Sequence, residues 1–173
     1  MNYVVFLLFG MIGAILQSTL FRGSVLLRAC TPDTMLLLVV YAATSLSYTR
    51  GLLLSFSLGL LSDLFSGAPE GWNTSFMILV FMLGKGIQAR VFFRGPRAAV
   101  WILFVAFVLK LPFFAILSPV ARVSFPLQEQ TLGVWLGEIV ATLLLMPVLF
   151  HLLNRTIGHI SFPFSRTGKQ QAP

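Results

Sequence analysis

The chain is a succession of apolar stretches separated by short connections, and this pattern limits its fold before any motif is read. Six stretches stand out: Tyr3–Leu20, Thr34–Tyr48, Gly51–Phe65, Trp72–Ala89, Ala98–Leu117 and Leu132–Leu153. A membrane-spanning helix needs about 20 mostly apolar residues. Apolar residues make up 57% of the chain and charged residues 10%, against roughly a quarter charged in an ordinary soluble domain. The runs do not alternate apolar with polar residues, which argues against an outer-membrane barrel. The expected fold is all-α, a polytopic six-helix transmembrane bundle over residues 1–155. A short polar cytoplasmic tail follows over residues 156–173. The second and third stretches are short, so they either extend into their neighbours or form a partly re-entrant pair.

Charge placement gives an orientation. With the N-terminus cytoplasmic, the inner connections hold Arg50, Arg90, Arg94, Arg97, Arg155, Arg166 and Lys169 and no acid. The opposite connections mix Arg22, Arg28 and Arg122 with Asp33, Asp63, Glu70 and Glu129. Basic residues collect on the cytoplasmic side of membrane proteins, so both termini are expected inside, in a bacterial inner membrane. The net charge of +7 then points to anionic lipid headgroups and not to nucleic acid. The single cysteine, Cys30, excludes an internal disulfide and a thiolate metal cluster. The first apolar run lacks the flanks of a cleaved signal peptide and reads as a retained helix.

The third stretch is the most informative. Gly51, Ser55, Gly59 and Asp63 recur every fourth residue, which places them on one narrow face of a helix. Small side chains let helix backbones approach closely where lipid supplies no hydrophobic drive. This face is expected to pack against a neighbour, with the third helix central. Asp63 ends it and is expected to fix the turn before Gly67, Pro69 and Gly71, to meet a partner, or to relay protons. Lys110 and Glu138 lie inside the fifth and sixth stretches. A charge at the centre of a bilayer costs about 2.5–3.5 kcal/mol on insertion scales, so the two are expected to pair, to snorkel apart or to bind something. Lys85 is expected to snorkel toward Arg90. Gly133 and Gly137 form a second small-residue pair. Pro112 and Pro147 are expected to bend their helices. His151 and His159 lack metal-ligand spacing, and no nucleophilic triad, phosphate-cradling loop or paired-carboxylate pattern is visible. No enzyme activity and no cofactor or metal is expected.

The run from Pro32 to Tyr41, the segment Arg50 to Asp63 and the turn Gly67–Ala68–Pro69–Glu70–Gly71 resemble the rod shape-determining membrane protein MreD family. The family pattern has a proline opening the second span, a glycine-rich third span ending on aspartate, and a glycine-containing turn. Pro32, Gly51, Gly59, Asp63, Gly67 and Gly71 match it, and Ser55 stands where the family often has glycine. The resemblance implies a non-catalytic scaffold of the bacterial elongasome. It would bind MreC and help couple MreB filaments to lateral peptidoglycan synthesis by RodA and a penicillin-binding transpeptidase. A second copy of the chain is a further partner to test. The family's bundle is similar to the substrate-binding subunits of energy-coupling-factor vitamin transporters. That likeness supplies the rival expectation, a small-molecule-binding membrane subunit using Asp63, Glu70, Trp72 and Glu138.

Overall fold

A computed structural model describes residues 3–20, 31–66, 69, 71–90, 96–117 and 132–157. Every element in them is helical: α1 (Tyr3–Leu20), α2 (Thr34–Ser45), α3 (Tyr48–Ser66), α4 (Trp72–Arg90), α5 (Pro96–Leu117) and α6 (Leu132–Ile157). The fold is an all-α six-helix bundle. Extension does occur at the third stretch, which begins at Tyr48 and reaches 19 residues. The second stays at 12 residues, and the sixth runs past residue 155 to Ile157.

The centre of the bundle is α2 and not α3, contrary to the sequence-based expectation. Met35 to Ala43 are each at most 2% exposed, whereas α3 turns Leu53, Phe56, Leu60 and Leu64 outward. The reason is composition. Over those nine positions α2 carries no polar side chain but the Tyr41 hydroxyl, so all of its circumference can be buried. In contrast, α3 has one small-residue face and one bulky apolar face.

Around α2, α1 packs on α2 and α3, α3 on α4, α4 on α5, and α6 on α2. The α1 contact depends on glycine: a Cβ at Gly10 would stand 2.6 Å from Leu58 Cδ2, and one at Gly13 2.5 Å from Thr34 Oγ1. Tyr41 links the first, second and sixth helices, with ring centroids 5.9 Å from Phe6 and 5.1 Å from Phe150.

Both ends of α2 are closed by charge. Asp33 caps the N-terminus, where Oδ1 accepts a 3.0 Å hydrogen bond from the Leu36 amide. At the other end the Lys85 ammonium, from α4, donates to the Leu46 carbonyl. A carboxylate at the N-terminus and a cation at the C-terminus both complement the helix dipole. Lys85 is therefore held by α2, which corrects the expectation that it reaches toward Arg90.

Two stretches among the described residues are long and apolar enough to cross a membrane, Arg97–Leu117 and Leu136–Leu153. Only 28% and 22% of their apolar windows are buried, so they are not core helices wrapped by protein. The expectation of six full spans is met only in part: six helices form, and two of them are long and apolar enough to cross. The others fall short for identifiable reasons. Helix α2 is short, α3 contains Arg50 and Asp63, α4 contains Asn73 and Lys85, and the described apolar part of α1 is Phe6–Ile15.

Candidate functional site

Two polar assemblies stand out in this apolar bundle. The first joins α3 to α4. The stripe Gly51, Ser55, Gly59 and Asp63 is buried along its whole length and lies against α4. A Cβ at Gly59 would stand 2.5 Å from the Thr74 Cα and 3.2 Å from its amide nitrogen, so backbone meets backbone there. At Gly51 the obstacle is the Phe81 ring. The Ser55 hydroxyl donates to the Gly51 carbonyl at 2.8 Å, which spares the interface an unsatisfied polar group.

Asp63 closes the stripe by gripping the start of α4. Its Oδ1 accepts from the Asn73 amide at 2.8 Å. Its Oδ2 accepts from the Gly71 amide at 3.0 Å, the Thr74 amide at 3.2 Å and the Thr74 hydroxyl at 2.5 Å. The first amides of a helix have no partner within the helix, and negative charge is favoured beside them. Asp63 satisfies them from another helix while only 6% exposed. Gly71 has φ +89°, a left-handed conformation that glycine adopts freely. No atom lies within 4 Å of its would-be Cβ, so the demand is on the backbone and not on space. Gly67 lies outside the described residues.

The second assembly joins α2, α5 and α6. The Lys110 ammonium pairs with Glu138 and stands 3.2 Å from Asp33 Oδ2. The Asp33 amide donates to Thr142 Oγ1 at 3.0 Å, and that hydroxyl donates to the Glu138 carbonyl at 2.6 Å. Lys110 also lies 5.7 Å from the Phe107 ring centroid, within cation–π range. The three charged side chains are 17–20% exposed. One cation thus faces two carboxyl groups at the N-terminus of the buried central helix.

The Lys110–Glu138 pair was one of the arrangements legible in the sequence; Asp33 and Thr142 were missed as its members. The available signals were local. Asp33 follows Pro32 and directly precedes an apolar run, the position of a helix cap. Thr142 lies one turn beyond Glu138.

The remaining candidates separate by position. Pro32 sits just ahead of the cap, its carbonyl accepting from the Thr34 amide at 3.0 Å. Gly133 is exposed with nothing near its would-be Cβ, and Gly137 is half-buried, so Gly133 meets no helix among the described residues. Arg50 and Arg97, in the first turns of α3 and α5, and Arg155, in the last turn of α6, are exposed. Chain direction puts them at the end of the bundle opposite Asp33 and Asp63. Arg94 and the Arg90 side chain lie outside the described residues. No group of three or more His, Cys, Asp or Glu side chains placed to hold a metal occurs among the described residues. No family model, no curated protein and no solved structure matches the chain.

Proposed function

We propose that the chain is a multi-pass protein of the bacterial inner membrane, with both termini cytoplasmic. In this reading it is a non-catalytic scaffold of the MreD type, which binds MreC and helps organise the elongasome. The observation that carries the membrane placement is the inside-out distribution of side chains. Outward faces present Leu7, Ile12, Leu53, Leu64, Phe104, Ile116, Leu144 and Val148, each 38–79% exposed, while Asp33, Asp63, Lys110 and Glu138 are turned inward or toward one another. Apolar side chains exposed on this scale mark a lipid or partner contact. The exposed Arg50, Arg97 and Arg155 collect at one end, as cytoplasmic bases do.

Scaffolding is supported by how the polar groups are used. Asp63 caps a helix, Trp72 is 9% exposed and packs with its ring centroid 6.0 Å from Phe114, and Glu138 holds Lys110. Three of the four groups a vitamin-binding subunit would need for its ligand are thus engaged in the bundle itself. The α3–α4 interface supplies a rigid pair of helices for partners to assemble on.

Copurification from membranes tests this reading. The Gly59→Leu variant, which forces α3 from α4, should lower MreC recovery and disturb rod shape when it replaces the resident protein. Membrane level is monitored in parallel. Full membrane level with unchanged MreC recovery and unchanged cell shape would sink the proposal.

A further inference from the structure

We propose that the protein fits a hydrocarbon layer about 20 Å thick, against the roughly 30 Å of an ordinary bilayer, and gathers short-chain phospholipid around itself. The inference rests on the membrane placement above and on nothing specific to the elongasome. Polar groups on separate helices fall in two planes, and contacts between the helices fix the level of each.

The inner plane passes through the end of α2, where Lys85 of α4 donates to the Leu46 carbonyl. Ser47, Tyr48, Thr49 and Arg50, at the junction of α2 with α3, are all exposed there. A Cβ at Gly84, beside Lys85, would stand 2.9 Å from Ala43 Cβ and 3.2 Å from Ile102 Cγ2. That sets the exposed Trp101 at the same level of α5. The outer plane passes through Asp33, with Lys110 and Thr142 against it, and through Asp63, with the first amides of α4. The two aspartates are level: Met35 and Leu61, each two residues inward, both reach within 3.5 Å of a Cβ built at Gly10. Between Asn73 and Ser66 this plane meets the surface as an exposed hydrogen bond of 3.0 Å.

Thirteen positions separate Asp33 from Leu46, Arg50 from Asp63 and Thr142 from Arg155, and eleven separate Thr74 from Lys85. At about 1.5 Å per residue, four helices thus give one spacing of about 16–20 Å. Between the planes the outward surface is apolar, as at Leu53, Leu60, Phe104, Val108, Leu144 and Val148. Ser57 donates back to the Leu53 carbonyl at 3.0 Å, and the exposed His151 stands within one turn of the inner plane. Past the outer plane, Leu64, Ile116 and Leu136 are exposed apolar tips. A bilayer of ordinary thickness would cover them, and would enclose the partly exposed Asp33, Lys110 and Glu138 and the Ser66–Asn73 pair as well. Charge is the more expensive group to enclose, so the thinner layer is the better fit, and lipid adapts to it by chain length.

The test places the full chain in phosphatidylcholine vesicles whose monounsaturated chains run from about 14 to about 22 carbons. Brominated lipid of each length competes for the protein surface, and quenching of the native tryptophans, of which Trp101 is 54% exposed, reports the relative affinity. Affinity should be highest near about 14 carbons and fall at least about threefold by the longest chains. Ser66→Leu with Asn73→Leu removes polar side chains from the outer plane at the surface and should move the optimum to longer chains. Lys110→Met with Glu138→Leu removes its charge on α5 and α6 and should move the optimum the same way.

An optimum at about 18 carbons or more, or equal affinity at all lengths, overturns the proposal. So does a short optimum that neither variant pair moves, because the planes then do not set the thickness. Failure of the protein to float with vesicles overturns the membrane placement itself; flotation without a short-chain preference overturns this inference alone.

Discussion

The Thr74 hydroxyl, in the first turn of α4, lies 2.5 Å from Asp63 Oδ2, in the last turn of α3. A contact this short between a hydroxyl and a carboxylate belongs to the strong, charge-assisted class. It sits where the end of α3 meets the start of α4. The glycine spacing of α3 makes the approach possible, and the carboxylate fixes its end point.

Asp63→Ala should therefore destabilise the protein by about 3 kcal/mol, because it leaves buried amides at the start of α4 without an acceptor. Asp63→Asn should fall between the variant and the parent: one amide oxygen can still accept, and the amino group opposite it cannot. Thermal unfolding in detergent micelles measures the order. Equal stability of Asp63→Ala and the parent protein would remove the capping role.

The stripe is predicted to be unequal along its length. Gly59→Ala brings a methyl group against the Thr74 backbone, which cannot step aside without moving α4, and should cost about 2 kcal/mol. Gly51→Ala meets the Phe81 ring, a buried side chain and not a backbone, and should cost less, about 1 kcal/mol. Unfolding curves for the two variants, compared in one detergent, decide whether backbone contact is what matters.

Lys110→Met should destabilise by about 3 kcal/mol, since it strands two carboxyl groups in an apolar setting. Adding Glu138→Leu should recover about half of that loss, because it removes one of the two stranded carboxyl groups and leaves Asp33 with the amide that it caps at the start of α2. The double-mutant cycle measures this directly. A double variant as unstable as the sum of its parts would mean that the two side chains act independently.

Lys85→Gln should loosen the end of α2 by about 1 kcal/mol through loss of a charged cap at its C-terminus. Lys85→Arg, which keeps charge and donors, should restore most of it. Hydrogen exchange at the amides of Thr44 to Leu46 should rise in the first variant and stay near parental levels in the second. No change in either would assign the packing of α2 alone to its apolar side chains.

The parts of this architecture that were legible in the sequence were those governed by local patterns. Apolar run length gave six helices, and four-residue spacing placed Gly51, Ser55, Gly59 and Asp63 on one buried face. What spacing could not supply was the identity of the neighbour, so the longest glycine stripe was assigned the bundle's centre. The structure gives that place to α2, whose distinction is the lack of any face unsuited to burial. Long-range polar partners were equally hidden. Asp33 and Lys110 are 77 residues apart, and Lys85 and Leu46 are 39 apart. Neither separation has a periodicity to betray it. Gly10 and Gly13 carry a close contact of α1 that an otherwise uniform apolar run did not announce.

The brevity of α2 has a consequence for how the protein is made. At about 1.5 Å per residue, 12 residues reach about 18 Å, well short of the roughly 30 Å hydrocarbon thickness of a bilayer. In the proposed membrane placement, α2 alone would leave its ends among acyl chains. It becomes viable only once α4 offers Lys85 to one end and α5 offers Lys110 beside the other. Biogenesis must then bring later-synthesised helices to an earlier one, so α2 finds its permanent surroundings only after α4 and α5 have been made.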